Sequence, residues 1–232
     1  MLIFEKDLAI DMGTATTLVY EAGKGIVSRQ PTVVAVDKYS GKLLKIGEDA
    51  EKMLGRTPAN IVSISPISHG VISDYDLAAT MLKDIIGKVT SFSFFKPCIL
   101  CCVPSSITGV EERAVIDAAI TAGARKVYLL ETAVATVLGA GIDIFKANGH
   151  MVIDIGGGTT EVAVVSMGGV VQCKSIKTAG SSFDKSIQKY IRKKHNLLIG
   201  TKSAEDLKKS IGCVIQRPDM GIEDVKGSDI VT

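Results

Sequence analysis

The sequence has no large excess of charge of either sign. Its 27 Lys and Arg residues face 25 Asp and Glu residues, which leaves a formal net charge of +2. So small an excess gives no argument for a nucleic-acid partner, and the basic run Arg192–Lys194 is typical of the solvated face of a helix. The apolar runs are no longer than strands, so none predicts a membrane-spanning helix, and Met1–Phe4 is too short for a signal peptide. We therefore expect a cytosolic protein.

The sequence also lacks a disulfide framework and a metal-ligand pattern. Five cysteines are an odd number without framework spacing, which is typical of a reducing compartment. Cys98 and Cys101 have the spacing of a metal-binding pair, but their surroundings predict a buried strand, in which residues three apart point to opposite faces. We interpret them as core residues. The three histidines show no mutual ligand spacing and are assigned no chemistry.

No Walker-type loop is present, and no Gly-x-Gly-x-x-Gly turn leads into a helix as in dinucleotide folds. The chain has instead the segment DIGGGTT at residues 154–160, between two alternating apolar runs. This pattern predicts a β-hairpin whose turn offers backbone N–H groups and two threonine hydroxyls to a phosphate. The aspartate that ends the first strand suits a phosphate-bound Mg²⁺. Taken alone, the segment is equally compatible with a plain hairpin turn.

The same motif occurs twice. Residues 10–19 read IDMGTATTLV and residues 153–162 read IDIGGGTTEV, so Ile, Asp, Gly, Thr, Thr and Val coincide at a constant offset of 143 residues. A chain of 232 residues that is 46% hydrophobic can form one large domain or two small ones. The duplication predicts two similar α/β domains, each with one phosphate-binding hairpin that faces a ligand in the cleft between them.

Three other segments are candidate sites. Glu131 and Thr132 follow a predicted strand directly, and α/β sheets place ligands at the carboxyl ends of their strands. Glu205 and Lys208 share one face of the last predicted helix, where either a surface ion pair or contacts to a ribose or an adenine are compatible with the spacing. The loop at residues 91–96 carries three phenylalanines within four positions, which either fill the core or form a surface patch for a membrane or a partner.

These segments together resemble the MreB family of bacterial actins. Beyond the two hairpins, the resemblance is carried by VPSSITGVEER at residues 103–113, AGARKVYLL at 122–130 and SAEDLKKSIG at 203–212, and it runs through nearly all of the chain. It implies an α/β, actin-like (ribonuclease H-like) fold of duplicated domains around a nucleotide cleft.

The glycines at 139 and 141, the polar and glycine-rich segment that ends near Ser65, and the resemblance together predict domain boundaries. Domain I would comprise residues 1–141, with a small inserted subdomain at about 32–65. Domain II would comprise residues 142–232 and would be incomplete at its C-terminus, because the family continues beyond the position of Thr232.

The resemblance further implies that ATP and Mg²⁺ are the cofactors. The residues that would contact the phosphates are Thr14, Ala15 and Thr16 from one side and Gly156, Gly157, Gly158 and Thr159 from the other. Those that would contact the nucleoside are Glu205, Asp206, Leu207 and Lys208. Asp11 and Asp154 would hold the Mg²⁺ shell, and the catalytic positions are Glu131, Thr132 and Thr159. Phe94 and Phe95 stand where the family inserts apolar residues into the membrane.

One departure from the family bears on catalysis. The family has Glu-Glu-Pro where this chain has Glu131, Thr132 and Ala133, and the second glutamate of that motif positions or deprotonates the attacking water. A threonine cannot act as a base at neutral pH, and the loss of a general base costs about 10²–10⁴-fold in rate. We therefore expect ATP binding with slow hydrolysis. Glu131 is a candidate substitute, although its neighbouring position predicts that it faces elsewhere.

The leading hypothesis is an ATP-binding bacterial actin homologue whose filaments lie on the inner face of the cytoplasmic membrane and maintain cell shape. ATP would close the cleft, and closed subunits would stack head to tail. The alternatives are a truncated or degenerate paralogue that modulates filaments of a full-length relative, and a non-polymerising ATPase of the same fold.

Overall fold

The computed structural model describes residues 7–53, 60–90, 95–215, 218 and 221–230. The chain divides into two compact units, Met1–Lys177 and Thr178–Thr232. The predicted border near Gly141 falls inside the first unit, and the assignment of domains I and II stays a prediction.

The first unit contains thirteen strands and four helices among its described residues. The strands are β1 (Asp7–Met12), β2 (Thr16–Glu21), β3 (Gly25–Pro31), β4 (Val34–Asp37), β5 (Leu43–Ile46), β6 (Ile61–Ile64), β7 (Ile67–Ser68), β8 (Val71–Ile72), β9 (Cys98–Val103), β10 (Lys126–Glu131), β11 (His150–Ile155), β12 (Thr160–Ser166) and β13 (Gly169–Ile176). The helices are α1 (Glu48–Glu51), α2 (Tyr75–Thr90), α3 (Gly109–Thr121) and α4 (Thr132–Gly139).

A five-stranded sheet carries the first motif. Its strands lie in the order β10-β9-β1-β2-β3, with β1, β2 and β3 antiparallel and with β9 and β10 parallel to β1. Burial alternates along β9, so Ile99, Cys101 and Val103 face the core and Cys98 faces the other side. This confirms the prediction that the two cysteines lie in a strand and point to opposite faces. Cys101 is buried in the core as interpreted, but Cys98 is only partly buried, so the core interpretation was wrong for Cys98.

Two helices cover this sheet and form the main core. The buried side chains of α2 recur at helical spacing, with Leu82, Ile85 and Ile86 each at most 3% exposed. Burying such a side chain fully contributes about 1.5–3 kcal/mol. Helix α3 begins after Thr108, whose hydroxyl accepts the N–H of Glu111 while the Glu111 carboxylate accepts the N–H of Thr108. This reciprocal capping box satisfies two N–H groups that the helix leaves unpaired.

The segment between β3 and α2 forms two small sheets. Strands β5, β4 and β6 make a three-stranded sheet, and β7 and β8 make a short hairpin whose tip is His69 and Gly70. Both tip residues have positive φ angles, 52° and 79°.

The second motif lies in a separate three-stranded sheet, in the order β11-β12-β13. Helix α4 packs on one face of it, where Ala163 and Val165 are buried against Val137. The opposite face is exposed and apolar, and it includes Met151 and Ile153, which are 68% and 54% exposed. Along its outer edge, β11 pairs with no strand among the described residues.

The second unit is small. It contains α5 (Gly180–His195), β14 (Leu197–Leu198), α6 (Thr201–Ile211) and β15 (Ser228–Asp229) around a core of Ile191, Ile199 and Ala204. The basic run Arg192–Lys194 is exposed in the last turn of α5, as predicted, where positive charge complements the helix dipole. Across the described part of the chain, no helix combines the length and apolar character that crossing a bilayer requires.

Candidate functional site

The two motifs fold into the same hairpin. In the first, the N–H of Gly13 donates to the carbonyl of Thr16 at 3.1 Å, and in the second the N–H of Gly156 donates to the carbonyl of Thr159 at 2.9 Å. Each aspartate is the next-to-last residue of the first strand of its hairpin, and the registers of β1 with β2 and of β11 with β12 confirm the predicted pairing. The duplication in sequence is therefore a duplication in local structure.

The tips of the two hairpins touch each other. A Cβ atom added at Gly157 would lie 2.6 Å from the Cβ of Ala15. One added at Gly158 would overlap the Thr14 hydroxyl and lie 2.8 Å from the Thr14 Cβ. Glycine is required at both positions because the backbone of one hairpin packs directly against side chains of the other.

The tip of the β7–β8 hairpin contacts both motifs. His69 Nδ1 lies 3.1 Å from the carbonyl oxygen of Gly158, and the N–H of Gly70 donates to the Thr14 hydroxyl at 3.0 Å. No chemistry is predicted for His69 from the sequence, and this bridge was not predicted either. The adjacent glycine was the available signal, because a His–Gly pair between two short apolar runs is typical of a tight hairpin tip.

A cavity of about 510 Å³ lies at these loops, within the size range of small-molecule sites. The residues that line it are Asp11, Met12, Gly13, Thr14, Ala15, Thr16, Leu18, Arg29, Gly70, Cys102, Pro104, Thr132, Asp154, Ile155, Gly156, Gly157, Gly158, Thr159 and Glu161. All the predicted phosphate-binding and Mg²⁺ residues of both hairpins are in this set. The cavity is therefore lined by backbone N–H groups, threonine hydroxyls and carboxylates from both motifs.

Asp11 and Asp154 lie close enough to interact. Burial, and secondly the charge of Asp154, raise the pKa of the Asp11 carboxyl above its ordinary range. A buried carboxyl beside a second carboxylate suits a divalent cation, whose charge would offset the repulsion. Among the described residues, no three His, Cys, Asp or Glu side chains are grouped as a metal cage. Mg²⁺ commonly takes one or two carboxylates and completes its shell with phosphate and water, so the pair fits that ion.

Two of the three predicted catalytic residues, Glu131 and Thr132, lie beside the end of β9, and the third, Thr159, lies in the second glycine turn. The Thr132 hydroxyl donates to the carbonyl of Val103 at 3.0 Å and lines the cavity. Glu131 is the residue before α4 and is not part of the cavity lining, as expected for a side chain that faces elsewhere. The lining includes one further carboxyl that sequence reasoning missed, Glu161, whose pKa is raised first by burial.

The predicted nucleoside contacts lie in the second unit, on α6. Lys208 Nζ is 2.8 Å from Asp184 Oδ1 and donates to the carbonyl of Gly180 at 3.1 Å. Glu205 accepts a hydrogen bond from Lys209 at 2.6 Å. Asp206 lies 3.7 Å from Lys202, and Leu207 packs against the small core. The nucleoside role of these four residues stays a prediction.

Of the two predicted membrane residues, Phe94 lies outside the described part of the chain. Phe95 is 54% exposed, and its neighbour Lys96 is exposed as well. Phe95 is therefore a surface residue rather than a core residue, which removes one of the two alternatives for that side chain.

Comparison with known proteins gives consistent matches. The model of the family described as MreB/Mbl protein matches residues 5–232. The chain is 47% identical over 233 residues to the cell shape-determining protein Mbl of Bacillus subtilis, which covers 99% of this chain and 69% of that protein. It is 44% identical over 234 residues to the cell shape-determining protein MreB of Escherichia coli, in a match that covers 98% of this chain and 67% of that protein.

Solved structures agree with the sequence matches. MreB5 of Spiroplasma citri bound to ADP has a TM-score of 0.92 at 38% identity, over 98% of this chain and 69% of that one. The same protein bound to AMPPNP gives 0.91. A MamK double helical filament gives 0.73 at 20% identity, over 89% of this chain and 65% of that one, and supports the fold alone. These matches confirm the predicted actin-like α/β fold, and the chain belongs to the MreB/Mbl family.

Proposed function

We propose that this protein binds ATP with Mg²⁺ and assembles into filaments that lie on the inner face of the cytoplasmic membrane and maintain cell shape. The observation that carries the proposal is the pair of matching hairpins whose tips meet at one cavity. Similar proteins are named cell shape-determining, and a structural neighbour is described as bound to ADP and to AMPPNP.

The loop chemistry supports phosphate binding. The N–H groups of Gly157 and Gly158 and the hydroxyls of Thr14, Thr16 and Thr159 can donate to phosphate oxygens, whereas the N–H of Gly156 already closes the hairpin turn. Asp11 and Asp154 would hold Mg²⁺, which when bound neutralises charge on the phosphates.

Slow turnover is part of the proposal. Thr132 lies in the cavity where the family has a glutamate, and its hydroxyl proton is engaged by the carbonyl of Val103. Thr132→Glu is expected to raise the rate of phosphate release by up to about 10²–10⁴-fold, measured by a steady-state coupled assay. Equal turnover in wild type and variant, at the level of typical relatives, would contradict this part of the proposal.

Membrane association is proposed through Phe94 and Phe95. Each phenylalanine that enters an interface contributes roughly 1.5–3 kcal/mol, which is weak for one subunit and strong for a filament that presents many copies. Phe95 is exposed and therefore accessible to lipid.

Sedimentation tests assembly and membrane binding together. The purified chain is centrifuged with Mg²⁺ and ATP, with ADP, or with EDTA, each with and without vesicles of anionic lipid. ATP-dependent pelleting supports polymerisation, and co-sedimentation with vesicles that is lost in Phe95→Ser supports the membrane contact. The matched control is Val110→Ser, because Val110 is an apolar residue that is 79% exposed elsewhere on the first unit.

Two outcomes would favour other functions. ATP binding and turnover without pelleting would favour a non-polymerising ATPase. Pelleting only when a full-length MreB relative is added would favour a paralogue that modulates the relative's filaments.

A further inference from the structure

The nucleotide cavity is lined by a buried carboxyl besides the two aspartates. Glu161 lies on β12, is 4% exposed, and stands opposite Asp154 in the hairpin register. Its Oε1 accepts the N–H of Ser105 at 3.0 Å, and the thiol of Cys173 lies 3.9 Å from the same atom. Oε2 has no hydrogen-bond partner in the described part of the chain. One oxygen therefore anchors the side chain, and the other is available to a ligand.

Glu161 and Thr132 are attached to the same short segment of backbone. The Thr132 hydroxyl donates to the carbonyl of Val103, and Glu161 accepts the N–H of Ser105, two residues further along. Both side chains line the one cavity. A carboxyl therefore lines the same cavity as position 132, where the family has a glutamate and this chain has threonine.

We propose that Glu161 orients the water that attacks the γ-phosphate of ATP in this chain, in place of a glutamate at position 132. The inference rests on the proposed ATP binding. The water oxygen forms a bond to the γ-phosphorus while the bond to the bridging oxygen of ADP breaks. One water proton passes to an oxygen of the γ-phosphoryl group that is transferred to water, so the products are ADP and inorganic phosphate. Glu161 Oε2 accepts a hydrogen bond from the other water proton and fixes the direction of attack.

Glu161→Gln separates this role from a structural one. Glutamine keeps a carbonyl oxygen for the N–H of Ser105, but it replaces the second acceptor by an amide donor, so it cannot orient the water in the same direction. We expect kcat to fall about 10-fold or more, while KM and the affinity for a fluorescent ATP analogue stay within about threefold of wild type. Glu161→Asp keeps the charge and withdraws the oxygens, and is expected to lower kcat as well.

The matched control is Glu21→Gln. Glu21 is also a buried glutamate, 6% exposed on β2, but it pairs with Lys24 at 2.8 Å and is not part of the cavity lining. We expect its kcat to equal that of wild type. Thermal unfolding of each variant reports whether the fold is retained, and Glu161→Asp serves as the test if Glu161→Gln does not fold.

A double-mutant cycle with Thr132→Glu gives the sharpest readout. If Glu161 stands in for the missing glutamate, Glu161→Gln lowers kcat much less in the Thr132→Glu background than in wild type. A purely structural role predicts the same loss in both backgrounds, which would overturn the inference. It is also overturned if Glu161→Gln turns over ATP within about twofold of wild type. A wild type that binds no ATP overturns the proposed function itself, and one that binds ATP without turnover overturns only this inference.

Discussion

Gly158→Ala tests whether contact between the two hairpin tips shapes the nucleotide site. The added methyl would lie 2.8 Å from the Cβ of Thr14 and 2.9 Å from its Cγ2, and it would overlap the hydroxyl. Movement of Gly158 is restricted because His69 bonds to its carbonyl. Either the tips separate or Thr14 shifts, and both responses move groups that line the cavity.

The expected magnitude follows from overpacking. Forcing one methyl group into a packed contact costs about 1–3 kcal/mol. If ATP binding needs the tips in their present arrangement, that cost weakens nucleotide affinity by about 5- to 150-fold, since 1.4 kcal/mol corresponds to tenfold. Any part of the cost that the free protein bears appears as a lower free energy of unfolding.

The assay is a titration of a fluorescent ATP analogue, paired with denaturant unfolding of the same samples. The matched control is Gly169→Ala at the start of β13 in the same sheet, outside the cavity lining, where the added Cβ would meet nothing within 4 Å. We expect the control to bind and unfold nearly as wild type. If both alanine variants retain wild-type affinity and stability, the packing argument is refuted.

Three other substitutions test separate parts of the structure. Thr108→Ala removes the cap of α3 and is expected to lower the free energy of unfolding by about 1 kcal/mol. Because hydrogen bonds from Thr108 lower the pKa of Glu111, this part of the stability is fully present above the ordinary pKa of 4.5 and is lost as the pH falls from there through the lower pKa of the folded state. His69→Asn retains a residue that tolerates positive φ but removes the contact of the imidazole with the carbonyl of Gly158. Hydrogen exchange in the second glycine turn is therefore expected to accelerate, while the free energy of unfolding falls by only about 0.5–1.5 kcal/mol. Lys208→Met leaves the carboxylate of Asp184 buried without its partner and is expected to lower the stability of the second unit by about 3–5 kcal/mol in thermal unfolding. A much smaller loss of stability would show that this ion pair does not stabilise the fold.

The phosphate loops could be predicted from the sequence because their function depends on backbone N–H groups, which glycines leave accessible to a ligand. One such glycine turn is equally compatible with a plain hairpin, but its repetition at a constant offset made Asp11 and Asp154 recognisable as equivalents. Strands and the Thr108 cap were predictable for a similar reason, since their signals extend over only a few residues.

Contacts between distant residues were not predictable in this way. His69 and Gly158 are 89 residues apart, and no local pattern links them. Glu161 lies in an alternating strand, and the N–H group that it accepts belongs to Ser105, 56 residues away in the sequence. Helical spacing places Lys208 on a face with Glu205, but its partner is Asp184, on another helix.

The exposed apolar face of β11 has a practical consequence for colloidal stability. Met151, Ile153 and Ile155 alternate along a strand whose outer edge is unpaired among the described residues, and such edges recruit other strands. Some of the purified chain is therefore expected to pellet without any nucleotide. Association through this face strengthens with salts that favour apolar burial, whereas a nucleotide-driven polymer responds to ATP. The amount that pellets in a salt series without nucleotide is therefore the baseline from which filament formation is measured.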